Sequence, residues 1–135
     1  MNSKSILISQ AGEEVKLLKR IIIYLQQDNL TQKGKLVEIL KKQNSDLNFL
    51  EQVENYQTQF LQLDETFRLF WTDLAKLEKS FGQVENMPWK TLCQQQEELK
   101  RDIELLDKNY FKLKNDFDNF LSRSTTDLIQ VRSTS

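Results

Sequence analysis

The chain has no histidine, one cysteine, one proline and three glycines in 135 residues. Without histidine it lacks the side chain most often used as a general base near neutral pH, the commonest metal ligand, and every Ser-His or Cys-His dyad. Cys93 has no second thiol with which to close an internal disulfide, and one cysteine is too few for a thiolate zinc site. The fold therefore does not depend on oxidation, and the cytoplasm or another reducing intracellular compartment is expected. Gly12, Gly34 and Gly82 are too far apart to form a phosphate cradle. The acidic residues fall outside the apolar stripes described below, unlike the inward carboxylates of di-metal bundles. The expectation is a non-enzyme with no catalytic residue, no cofactor and no metal.

Loops need glycine and proline for unusual or fixed φ, so their scarcity beside abundant Leu, Lys, Glu and Gln leaves room for a few long helices and little else. The fold class is all-α. Long hydrophobic runs are missing too: Ile6-Leu7-Ile8 and Ile21-Ile22-Ile23 are far short of a membrane span or a signal-peptide core. No membrane span and no classical secretion are expected. Nineteen basic and 20 acidic residues nearly balance at −1, which provides no field to attract a polyanion. Nucleic acid is accordingly not an expected partner. The balance is uneven along the chain, with a net positive segment up to Ser45 and a net negative remainder, consistent with a basic first helix beside an acidic second one around Asp64, Glu65 and Asp73. A basic docking face is the other reading of that asymmetry.

What is abundant is the heptad. From Phe49 the residues Val53, Tyr56, Phe60, Leu63, Phe67, Phe70, Leu74, Leu77 and Phe81 follow at alternating steps of four and three. A period of 3.5 keeps one stripe against a neighbouring helix and implies a left-handed supercoil. So many aromatics need a thicker core than a two-stranded coil provides. After Gly82 and Pro88, which read as a left-handed C-cap and a first-turn proline, the pattern resumes at Trp89, Leu92, Gln96, Leu99, Ile103, Leu106, Tyr110, Leu113, Phe117 and Phe120. Two matched stripes joined by a short connection predict an antiparallel pair. Gln96, an amide amid apolar neighbours, is expected to fix helix register rather than to bind a ligand.

The first helix is read over residues 5–28. Ile8, Ala11, Val15, Leu18, Ile22 and Leu25 make its seam, while Leu17, Ile21 and Tyr24 widen the apolar surface, as in a helix between two neighbours or in an oligomer. Asn29 and Gln32 resemble a capping box opening a second helix. Leu36, Leu40, Leu47 and Leu50 then lie out of phase with the main seam, and the phase changes at Asn44-Ser45-Asp46. Continuity through that point gives one helix over 30–81, about 75 Å long at the usual rise; a bend there gives four helices. A last helix is read over 88–121, a disordered Ser/Thr-rich tail over 122–135, and within the tail an apolar island from Asp127 to Val131 that is either a docking peptide or a fraying end. The whole is expected to be one elongated helical-bundle domain over 1–121, with three to four helices built on a long antiparallel coiled-coil hairpin.

Five large apolar residues fall off both main seams: Leu61, Leu69 and Trp71 on the middle helix, Leu105 and Phe111 on the last. Leu61 and Leu69, eight residues apart, are read as sharing one side with Trp71 beside them. Either a protein partner or a second copy covers these five, or the first helix does. The function expected is that of an interaction subunit or adaptor of a larger assembly, presenting coiled-coil faces to partner helices. Alternatives are a chaperone that holds an exported or aggregation-prone client, and a small helical subunit of a nucleoprotein complex using Lys33, Lys35, Lys41 and Lys42. Heptad-bearing helices are common to many unrelated families, so the pattern alone names none.

Overall fold

A computed structural model describes residues 3–42, 46–83 and 89–134 of the chain. It is an all-α bundle of three long helices: α1 (Ser3–Lys41), α2 (Leu47–Phe81) and α3 (Trp89–Thr134). With 39, 35 and 46 residues, they measure about 58, 52 and 69 Å at 1.5 Å per residue. Phe81 meets Trp89 at 5.7 Å between ring centroids, whereas Phe49 stacks on Phe120 at 5.6 Å, so α2 and α3 run antiparallel. Pairing of α1 with α2 runs from Lys19–Glu78 to Lys33–Asp64, which is antiparallel too. Glu14–Lys100, Asp28–Lys114 and Lys35–Asp118 show α1 and α3 rising together.

The α2 and α3 seams pack as their period requires. Phe60, Phe67, Leu74, Leu92, Ile103 and Phe117 are fully buried, and Gln96 is buried with them. Leu63, Phe70, Trp89 and Leu113 sit partly buried at the core's margin. Gln96 donates from Nε2 to the Ala11 carbonyl at 3.1 Å and to Glu14 at 3.1 Å, tying α3 to α1 as a register contact. Three seams around one axis give the aromatic rings the volume they need: Phe117 packs against Tyr56, Phe60 and Phe120 with centroids 5.1 to 6.4 Å apart. Cys93 is a half-buried free thiol.

The helix boundaries differ from those expected. There is no turn at Asp28-Asn29; α1 continues through it to Lys41, and the extended rod over 30–81 does not exist. The reason lies in the seam, for Ile8, Ala11, Val15, Leu18, Ile22, Leu25, Asn29, Gln32, Leu36 and Ile39 hold the three-four step without a slip. Asn29 and Gln32 are core positions of one helix rather than a cap between two, and both are buried. Leu36 is buried, but Ile39 takes the next layer, leaving Leu40, Leu47 and Leu50 exposed. The phase change falls where α1 ends and α2 begins, with Asp46 as N-cap accepting from the Asn48 N–H at 3.1 Å. Asn44 and Ser45 lie outside the described residues.

Two further corrections concern helix ends. Gly82 is right-handed, with φ −73° and ψ −13°, and its N–H bonds to the carbonyls of Glu78 and Lys79, so no left-handed cap forms. Pro88 lies outside the described residues. Residues 122–134, expected to be disordered, continue α3 as helix. The side chains of the Asp127–Val131 island are outside the described residues.

Removal of a fully buried ring loses its transfer energy and leaves a cavity, so Phe60→Ala and Phe67→Ala should each cost about 3–5 kcal/mol in denaturant unfolding, and Phe70→Ala, at the margin, less. A loss under about 1 kcal/mol at both Phe60 and Phe67 would mean that the stripe is not the core.

Candidate interaction surface

Leu61 and Leu69 share the outer side of α2, about 80° apart around its axis, while Trp71, Leu105 and Phe111 lie on other flanks. All five off-seam residues are exposed, from 37% at Phe111 to 57% at Leu105, so α1 does not bury them. Two residues turn a helix by about 200°, which puts Leu69 and Trp71 on opposite flanks of α2. The Lys19 ammonium lies 5.6 Å from the Trp71 ring centroid and pairs with Glu78, so Trp71 borders α1. Leu61 lies between Leu69 and Trp71 around the axis of α2. Leu69 and Leu105 instead flank the groove between α2 and α3, whose walls include Thr66, Asp73, Asp102 and Asn109. Phe111 borders α1 on α3, with Lys114 5.9 Å from its ring centroid. Leu61 and Leu69 can be covered together on α2, but the five residues do not compose one surface.

One larger apolar surface does form, and it belongs to α1. Its seam faces α2 and α3, but the opposite side carries Ile23, Leu30 and Val37 at strict seven-residue spacing, with Leu17 and Tyr24 parallel to them. Exposure runs from 41% at Ile23 to 67% at Leu30. Arg20, Gln27, Gly34 and Lys41 run between the two rows and are exposed as well. The cause is local: a wide stripe was present in the sequence at Leu17 and Tyr24, yet a three-helix bundle offers α1 neighbours on only two flanks. A signal for the remainder existed, since Ile23, Leu30 and Val37 repeat every seven residues just off the seam.

Beneath that surface lies a buried polar layer. The apolar core is divided into one cluster from Ala11 to Leu25 with its partners and another around Leu36, Ile39 and Phe49 to Phe60, and Asn29 and Gln32 lie between the α1 portions of the two. Asn29 donates from Nδ2 to the Phe60 carbonyl at 3.0 Å and to Asp64 at 2.8 Å, and Lys33 reaches Asp64 at 2.6 Å. On the other side the Tyr110 hydroxyl donates to Asp28, and Lys114 bonds the same carboxylate at 3.2 Å. Burial pushes the Asp28 pKa up, but hydrogen bonds from Tyr110, Lys114 and Gln32 and the Lys114 charge outweigh it and hold the carboxyl below its ordinary value. Burial, then the Asp28 hydrogen bond and charge, push the Tyr110 hydroxyl up. The Oδ1 of Asn29 and Oε1 of Gln32 are buried with no hydrogen-bond partner among the described residues. Such a layer fixes axial register at a cost in stability.

Among the described residues no group of three or more His, Cys, Asp or Glu side chains is placed to hold a metal, and no helix is long and apolar enough to cross a membrane. Lys33, Lys35 and Lys41 pair with Asp64, Asp118 and Glu38. A scan against models of known families, a search of curated proteins and a search of solved structures each find no match.

Two measurements test the polar layer. Asn29→Leu should gain about 1 kcal/mol in unfolding free energy by removing a buried, half-satisfied amide; a loss greater than about 1 kcal/mol would mean that the layer is net stabilising. For Asp28, the lowered folded pKa means stabilisation that is full above the unfolded carboxyl value near 4 and is lost as pH falls through the folded value. Asp28→Asn should thus be less stable than wild type by about 1–3 kcal/mol at pH 7, with the gap closing in acid. A gap that stays constant from pH 7 to about 2 would contradict this linkage.

Proposed function

We propose that this protein is a non-enzymatic helical interaction subunit or adaptor, acting inside a reducing compartment by presenting the outer face of α1 to a partner helix. The observation that carries the reading is the second apolar row on α1: Ile23, Leu30 and Val37 recur once per heptad, with Leu17 and Tyr24 in a parallel row, while the seam of the same helix is already occupied. Scattered exposed leucines need no explanation, but a contiguous row on one helix does. Leu61, Leu69, Trp71, Leu105 and Phe111 enter this proposal only as subsidiary contacts, because they are divided between two helices and more than one flank.

The client-holding alternative would use the α2–α3 groove, whose lining mixes Leu77 and Leu99 with Asp73, Lys76, Ser80, Gln95, Glu98 and Asp102, so the exposed apolar row of α1 is the stronger candidate. The nucleoprotein alternative lacks a driving field, since the chain is nearly neutral, and Lys33 and Lys35 reach across to Asp64 and Asp118 of neighbouring helices.

A photo-reactive amino acid placed at Leu30 in the full chain should give a discrete covalent adduct in cells, and the same group at the exposed Thr58 on α2 should not. Ile23→Gln combined with Val37→Gln should abolish the Leu30 adduct while shifting the melting temperature of the isolated chain by less than about 3 °C. Equal labelling from Leu30 and Thr58, or loss of folding in the double variant, would count against an interface on this face.

A further inference from the structure

We propose that the occupant of the outer face of α1 is a second copy of this chain, bound antiparallel about a two-fold axis passing close to Gln27. The proposal rests on the reading of that face as an interaction surface and adds the identity of the partner. Its ground is charge order. The face is bounded at one end by the exposed pair Glu13–Lys16 and at the other by the exposed pair Glu38–Lys41, each an ion pair three residues apart within the helix. Both pairs read acid then base. When a second α1 is laid antiparallel with Gln27 on Gln27, Glu13 comes opposite Lys41 of the second copy, and Lys16 comes within side-chain reach of its Glu38. The two-fold repeats both contacts at the other end, making the surface self-complementary as an isologous interface must be.

The same operation brings the middle of the apolar surface together, while Val37 falls beside Lys16 and Leu17 beside Glu38 of the second copy. Ile23 falls beside Leu30 of the second copy and Leu30 beside its Ile23, forming the central layer. Arg20 falls opposite Gly34, where a β-carbon would meet nothing within 4 Å in the single chain. A glycine inside a helix costs stability, and the packing of one chain gives no return for it. Across a two-fold it leaves room for the Arg20 side chain. Other arrangements lose these matches. A parallel pair sets Glu13 on Glu13 and Arg20 on Arg20. Sliding one heptad toward the C-terminus sets Arg20 against Lys41, and sliding one heptad the other way leaves Lys41 opposite Ile6.

The test uses two charge-swapped variants of the full chain, Glu13→Lys with Lys16→Glu and Glu38→Lys with Lys41→Glu, in sedimentation equilibrium up to about 1 mM. Each keeps its internal ion pair, so each should fold as wild type does by circular dichroism. Wild type should form a dimer. Each variant alone should dimerise at least about tenfold more weakly, because two attractive contacts at each end of its interface become repulsive. An equimolar mixture should restore association to the wild-type level, since opposite charges then meet at both ends of the mixed pair. A wild type that stays monomeric throughout, variants that dimerise as well as wild type, or a mixture that does not recover would each overturn the proposal. If wild type is monomeric while the adduct from Leu30 to a different protein persists and depends on Ile23 and Val37, the second copy is wrong and the interaction face stands. If no adduct forms either, both readings fail.

Discussion

Three seams of 3.5-residue period can share one core only if their layers meet at common heights, and in this chain the Phe60 and Phe67 rings of α2 define the central ones. Both are fully buried, and neither could be covered by a single opposing helix. With α3 returning antiparallel and α1 antiparallel to α2 on the other flank, the rings of the α2 seam from Phe49 to Phe81 find apolar neighbours. The flanking charges follow from that arrangement. Lys19 and Lys33 of α1 reach α2, whereas Glu14, Asp28 and Lys35 of α1 reach α3, each on the flank that its position beside the seam dictates. Surface pairs of this kind contribute at most about 1 kcal/mol each. They select the arrangement of helices more than they hold it together.

The Asn29–Gln32 layer restricts how the seams slide. An uninterrupted apolar seam is tolerant of a one-heptad shift, because Leu on Val and Leu on Ile differ little. A buried amide that must meet the Phe60 carbonyl and Asp64 is not tolerant, and Gln96 imposes a second such condition against Ala11 and Glu14. Two polar contacts on different helix pairs therefore fix the axial position of α1. The outer face of α1 inherits that rigidity, which lowers the ordering cost of any complex formed there.

Legibility in the sequence followed the regularity of each seam. The α2 and α3 stripes were readable residue by residue, including Gln96, because nothing polar in them resembled a helix end. The α1 seam is legible to Leu25, and there two polar residues imitate a helix end. Asn29 and Gln32 have the residue types and spacing of a capping box, and local propensity cannot say whether a polar pair caps a helix or occupies its core; only Leu36 and Ile39, continuing in step, decide it. Leu40, adjacent to Ile39 and equally apolar, offers a competing phase that masks the continuation. The surface was harder, because exposure depends on where neighbouring helices lie. Leu69 and Trp71 are close in the chain but separated by most of a half-turn around the axis, while Ile23, Leu30 and Val37 do not stand out in sequence on a helix that is apolar on several sides.

Two kinds of apolar residue lie side by side on α1, one facing the bundle and one facing outward, and solvent access distinguishes them directly. Methyl spectra of the full chain, recorded with a soluble paramagnetic agent at a dilution where it is monomeric, should show strong attenuation at Ile23, Leu30 and Val37 and little at Ile22, Leu25 and Leu36. Equal attenuation within the adjacent pairs Ile22 and Ile23, and Leu36 and Val37, would contradict it.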